Sequence, residues 1–192
     1  ELMVVADETS VPAFVASDLL SQAEHGSDSQ VILITTSKET LKAVEKELYS
    51  QIEWLPRKEI AQQAIENSKL IYVENELEAL EIINEYAPEH LILSTENAEV
   101  LADEIINAGS VFIGQFTPES AGDYASGTNH TLSTNGYARV YNGVNLDDFV
   151  KKITFQHITQ TGLEQLGPSI MKMAEAEGLR AHSNAVSIRL KR

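Results

Sequence analysis

No cysteine occurs in the 192 residues. That removes disulfides, thiolate-ligated zinc and any route through a covalent thiohemiacetal or thioester. Positive charge is scarce: 14 Lys and Arg stand against 29 Asp and Glu, a formal net charge of -15. Nucleic acid and anionic membrane surfaces call for a positive face, so neither is expected as a partner. No apolar run approaches the roughly 18 residues of a membrane span. Glu1 to Ala6 lack the basic region and cleavage site of a signal peptide. The cytoplasm is therefore the expected compartment. A chain that begins without Met, directly in a strand-like run, is expected to be a piece of something longer. No internal repeat or low-complexity stretch occurs.

What is present is a regular alternation. Short apolar runs at Val4-Val5-Ala6, Val31 to Thr35, Leu70 to Val73, Leu91 to Leu93 and Val111 to Ile113 read as strands. Helical patterns lie between them: Pro12 to about His25, Lys38 to about Trp54, Lys58 to about Asn67, Leu77 to about Tyr86, and Ala98 to about Ala108. Continuous apolar strands separated by helices imply a mainly parallel α/β sheet covered on both faces. Pro12 suits a first helical turn, and Gly26 and Gly109 read as helix stops.

After Gly143 the pattern changes. Leu146 to about Gln160 and Leu163 to about Glu177 read as consecutive helices, the second stopped by Gly178. Ala185 to Leu190 fits a strand or a third helix. The expected division is an α/β portion over 1–144 and a small, mostly helical domain over 145–192. The latter is marginal in size and needs support from the main domain or a partner chain.

The candidates for chemistry fall into four clusters. Gln22 and His25 share a helix face; the pair can hold a metal, or His25 can cap the helix end against its dipole. Glu89 and His90 open a strand after Pro88. His is the usual base near neutral pH and Glu can activate water, although a solvated loop dipeptide is the plainer reading. The stretch Glu119 to His130 is too rich in small and polar residues for a helix or strand. It reads as a functional loop, with Asp123 an oxygen ligand and His130 a nitrogen ligand or hydrogen-bond donor. Its glycine spacing fits neither GxGxxG nor the P-loop. Glu177 and His182 flank the end of the last long helix, where a charged surface is the plainer reading. His157 reads as a packed or surface helix residue.

Together these stretches resemble the C-terminal portion of histidinol dehydrogenases. The matching text is Ala16-Ser17-Asp18-Leu19-Leu20-Ser21-Gln22-Ala23-Glu24-His25-Gly26, Ala87-Pro88-Glu89-His90-Leu91, Pro118 to His130, and Ala181-His182-Ser183-Asn184-Ala185. The resemblance implies a Rossmann-like sheet, incomplete here, and a zinc- and NAD-dependent oxidation of L-histidinol, through histidinaldehyde, to L-histidine. By matching position it implies zinc ligands at Gln22, His25, Asp123 and His182. It implies a general base at His90 and a water-activating carboxylate at Glu89. Substrate contacts are implied at Gln22, His25, His90, Asp123, His130, Glu177 and His182. The family is a homodimer whose small C-terminal domain serves the partner's site. Its full chain is about twice as long, and the absent N-terminal half holds the NAD site. Hydride transfer by this chain alone is therefore not expected. Two other readings stay open: a non-catalytic module binding zinc or a small molecule, and a zinc hydrolase using Glu89 as base.

Overall fold

The structure, a computed structural model, describes residues 1–191. It divides into two compact units, Glu1–Phe149 and Val150–Arg192. The first unit is built on five parallel strands: β1 (Leu2–Ala6), β2 (Val31–Thr35), β3 (Lys69–Tyr72), β4 (His90–Ser94) and β5 (Ser110–Ile113). Their order is β3-β2-β1-β4-β5. The helices are α1 (Pro12–Ala23), α2 (Lys38–Ile52), α3 (Lys58–Glu66), α4 (Glu76–Tyr86), α5 (Ala98–Ala102) and α6 (Glu119–Tyr124).

Alternation along the strands sorts the core into two layers, as a period of two requires. Leu2, Val4, Ala6, Leu33, Ile92 and Phe112 pack with α1, α2 and α3 residues on one face. Met3, Val5, Ile32, Ile34, Leu91 and Leu93 pack with α4 and α5 residues on the other. Each fully buried Leu or Ile side chain stabilises the fold by about 1.5–3 kcal/mol. His90 alternates with Leu91 and shares the face of Ile92, so it looks toward α1.

The register places His90 opposite Leu2, the first residue of β1. His90 thus stands at the amino edge of the sheet. The usual ligand crevice of such sheets lies at the carboxyl edge, where the strand order reverses. Here that is the edge between β1 and β4, and side chains stitch it shut. Asp7 Oδ2 accepts the Glu96 amide at 2.8 Å, and Asp7 Oδ1 accepts the Thr9 amide at 2.8 Å. Gln115 links the Val11 amide and the Thr9 carbonyl, at 3.1 Å each. Burial pushes the Asp7 carboxyl up, but hydrogen bonds from Thr9, Glu96 and Ser10 outweigh burial and hold it below its ordinary range.

Four local expectations are corrected. The polar stretch after Pro118 is not all loop: Glu119–Tyr124 is a short helix. It holds because Gly122 lies against Phe112; a Cβ there would stand 2.7 Å from the ring. The predicted helix over Ala98 to Ala108 stops at Ala102. Gly109 is no helix stop either; a Cβ there would stand 2.5 Å from the Glu89 carbonyl oxygen, so the glycine permits close approach of backbone to backbone. The pattern over Leu146 to Gln160 forms one 3-10 turn, Leu146–Phe149, and then no regular structure up to Thr159. Its apolar residues find no surface to bury, as Phe155 at 91% exposure shows, and a helix of this length depends on such burial. His157 therefore lies outside any helix.

In the second unit α7 (Gln160–Ala176) packs on α8 (Arg180–Leu190), so the tail is helical. Gly178 has φ 76°. The Gly178 amide donates to the Glu175 carbonyl, and the Leu179 amide to the Ala174 carbonyl. This paired closure ends α7 in a Schellman turn. Gly167 lets α8 approach closely, with Leu190 and Val186 where a Cβ would be.

Candidate active site

His90, Glu119 and Asp123 converge at the amino edge of the sheet. One ligand atom from each lies within 4.8 Å of the others. Glu119 and Asp123 are four apart on α6 and therefore share a helix face. Glu119 Oε1 is 3.8 Å from His90 Nδ1, and Asp123 Oδ1 is 4.0 Å from His90 Nε2. Glu89, just before β4, places Oε2 3.9 Å from His90 Nδ1.

One contact fixes the histidine's chemistry. His90 Nδ1 lies 3.3 Å from the Glu1 carbonyl oxygen. A carbonyl only accepts, so Nδ1 carries the proton and donates it there. Nε2 then keeps its lone pair and faces Asp123. Burial, the largest influence, pulls the His90 pKa down, while Glu89 and Asp123 pull it up. The net direction is down, which keeps the ring neutral at neutral pH.

Glu119 was not among the residues singled out in the sequence. It is 1% exposed, and its Oε2 accepts only a long hydrogen bond from Ser21, 3.5 Å. Burial first, then the Asp123 charge, pushes its carboxyl up to about 7. Asp18 on α1 is also pushed up to about 7, by burial. A carboxyl raised in the fold stabilises it most where it is protonated. That contribution is full below about 4.5 and is lost as pH rises through about 7. The urea midpoint of the metal-free chain is therefore expected to fall across that window. Glu119→Gln should reduce the fall, and an equal fall in that variant counts against this assignment.

The remaining residues occupy three places. Gln22 and His25 pair at the end of α1, with Gln22 Nε2 3.4 Å from His25 Nδ1. Gln22 is buried, yet its Oε1 has no hydrogen-bond partner. An acceptor left empty in a buried position costs about 1–3 kcal/mol and is suited to a cation. α1 meets α6 through the Ser21–Glu119 contact, one residue before Gln22. His130 follows α6 in an exposed loop. Glu177 and His182 belong to the second unit, where they sit on either side of the Gly178 turn, both exposed. Their exposure makes both available to groups outside that unit.

Comparison with known proteins identifies the family. The histidinol dehydrogenase family profile matches residues 1–190. Histidinol dehydrogenase of Bacteroides thetaiotaomicron is 60% identical over 190 residues, covering 99% of this chain and 44% of that protein. The chloroplastic histidinol dehydrogenase of Arabidopsis thaliana is 53% identical over 192 residues, 100% of this chain and 41% of that protein. The crystal structure of histidinol dehydrogenase from Elizabethkingia anophelis superposes with a TM-score of 0.97 at 58% identity, over 99% of this chain and 44% of that one. The chain thus spans less than half the length of these relatives. A family match that spans residues 1–190, with identities of 53–60% to these relatives, leads to one conclusion: this chain belongs to the histidinol dehydrogenase family and corresponds to a C-terminal portion of its members.

Proposed function

We propose that this chain supplies one part of the active site of a cytoplasmic L-histidinol dehydrogenase, which oxidises L-histidinol through histidinaldehyde to L-histidine. The observation that carries the reading is the 3.3 Å contact of His90 Nδ1 with the Glu1 carbonyl oxygen, from which the tautomer is assigned. His90 Nδ1 is committed to the Glu1 carbonyl, which leaves Nε2 as a base beside Asp123.

In this reading His90 Nε2 takes the proton of the substrate hydroxyl as that carbon is oxidised. The aldehyde must then be hydrated before a second oxidation. Glu89, beside His90, takes a proton from water so that its oxygen adds to the aldehyde carbon. His90 serves again as base for the hydrate. The residues this chain brings to the site include no cysteine, so none of them offers a thiol in competition with water. NAD, when bound, supplies the hydride acceptor. The stitched carboxyl edge around Asp7, with no glycine-rich turn after β1, supports a cofactor site outside this chain.

Zinc fits the donors available. Gln22 with its empty oxygen, His25 and Asp123 would hold it, with His182 supplied by a partner chain. When bound it supplies a Lewis acid able to chelate the substrate's imidazole and amino nitrogens. Glu177 and His130 are proposed substrate contacts. In a homodimer, Glu177 and His182 would serve the partner's site.

Mixing tests the crossed arrangement. In the full-length enzyme containing this chain, Asp123→Ala and His182→Ala each abolish intact sites. Random mixed dimers regain roughly a quarter of them, because one of the two sites in each mixed dimer is whole. Zinc and activity are counted before and after mixing, and confirmed mixed dimers with no recovery contradict the crossing.

A second reading has its own support: His90, Glu119 and Asp123 could themselves hold a cation in a non-catalytic module. It requires Glu119→Gln to weaken zinc binding. In the dehydrogenase reading Glu119 is a neighbour of the ligand Asp123 and not a ligand itself, so that variant should lose no more than the roughly 10–100-fold typical of a supporting partner, less than Asp123→Ala loses.

A further inference from the structure

The loop that carries His130 is closed by its neighbour. Asn129 Oδ1 accepts the Thr131 amide at 3.0 Å. Asn129 Nδ2 donates to the Thr131 carbonyl at 3.0 Å, and also to the Val144 carbonyl. The Val144 amide returns a hydrogen bond to the Thr131 carbonyl at 3.0 Å. One side chain thus ties together two positions 15 residues apart in the chain. The closure is tight. A Cβ on Gly143 would stand 2.5 Å from Leu132 Cδ2, 3.0 Å from the Thr131 carbonyl oxygen and 3.3 Å from Asn129 Nδ2. On the other side of Asn129, the Thr128 hydroxyl lies 3.0 Å from where a Gly122 Cβ would be. Gly122 is the residue before Asp123 on α6. The loop tip is held as well: the Asn135 amide donates to Glu1 Oε1 at 2.8 Å, and Glu1 is the residue whose carbonyl fixes His90.

Asn129 is exposed, as are its partners. Water could satisfy all of these groups at that surface, so burial does not account for the arrangement. Its effect is geometric. Thr128 is set against α6, Thr131 is clasped to Val144, and His130 is held between them.

We infer that Asn129 is the positioning residue for His130, fixing its backbone relative to α6 so that its side chain meets substrate. This rests on the proposed substrate contact at His130. Asn129 need not touch substrate itself. Loss of the clasp should weaken substrate capture while leaving the base, its carboxylates and the zinc donors in place.

The test is a double-mutant cycle on histidinol oxidation by the full-length enzyme. Asn129→Ala should raise KM on the order of tenfold with kcat within about twofold, as expected for losing one or two hydrogen bonds that orient a contact. Asn129→Asp keeps the acceptor and loses both donors, so it should move KM in the same direction. Gly143→Ala should do so as well, through a residue with no polar side chain. Combining Asn129→Ala with His130→Ala should add little to His130→Ala alone. Amide exchange at Thr131 and Val144 should quicken in Asn129→Ala. Multiplying effects in the double variant overturn the inference. So does an unchanged KM in Asn129→Ala when His130→Ala raises it. An unchanged KM in His130→Ala itself overturns the substrate-contact reading, and this inference falls with it.

Discussion

His90→Ala in the full-length enzyme is expected to lower kcat by about 10²–10⁴-fold, the range a positioned general base contributes. Its KM should change far less, because the ring acts on a proton. The effect should fall on both oxidations, since one base serves each. Glu89→Gln separates them. The amide cannot take a proton from water, but the first oxidation does not use water. That variant should form aldehyde at a near-normal rate and stall there. His90→Asn offers a further check, since a short amide can still reach the Glu1 carbonyl but provides no basic nitrogen. Equal loss of both steps in Glu89→Gln would move Glu89 from water activation to a role in holding His90, which it faces at 3.9 Å.

Asp123→Ala should weaken zinc binding by more than about a hundredfold, beyond the 10–100-fold typical when only a supporting partner is lost. Asp123→Asn keeps size and one acceptor oxygen but removes the charge, so an intermediate loss is expected. The competing cation site at His90, Glu119 and Asp123 makes a different forecast. There Glu119→Gln is as damaging as Asp123→Asn, while Gln22→Ala is harmless. In the dehydrogenase reading the order is reversed, because Gln22 Oε1 is the buried acceptor without a partner. Zinc affinity measured by competition with a chelator distinguishes the two sets directly.

Much of this layout is legible in the residues. β1, β2 and β4 are buried on both faces, so their apolar runs are continuous and their strand character needs no context. Gln22 and His25 are paired as their spacing suggested, but not on one helix face: α1 ends at Ala23 and His25 lies in the turn that follows, its amide donating to the Gln22 carbonyl. α6 was not legible, because its stability comes from elsewhere in the fold. Ser120, Ala121 and Gly122 carry no helical face of their own, and the helix exists because Gly122 settles on Phe112. Glu119 was missed for the same reason. Its spacing to Asp123 has meaning only once both are on a helix. Asp18 was missed because a carboxylate on the flank of an amphipathic helix reads as solvated, whereas this one is half-buried. The stretch after Leu146 failed in the opposite direction. Its apolar residues recur at helical intervals, but Ile153 and Phe155 stay at 70% and 91% exposure. Periodicity signals a helix only when there is a surface for the stripe to cover.

The central claim is that this chain's histidine and carboxylates serve a two-step oxidation. The most direct measurement counts NADH formed and product released per L-histidinol consumed by the zinc-loaded, full-length enzyme containing this chain. The account predicts two NADH and L-histidine, falling to one NADH and the aldehyde in Glu89→Gln. One NADH or none from the unsubstituted enzyme would contradict it.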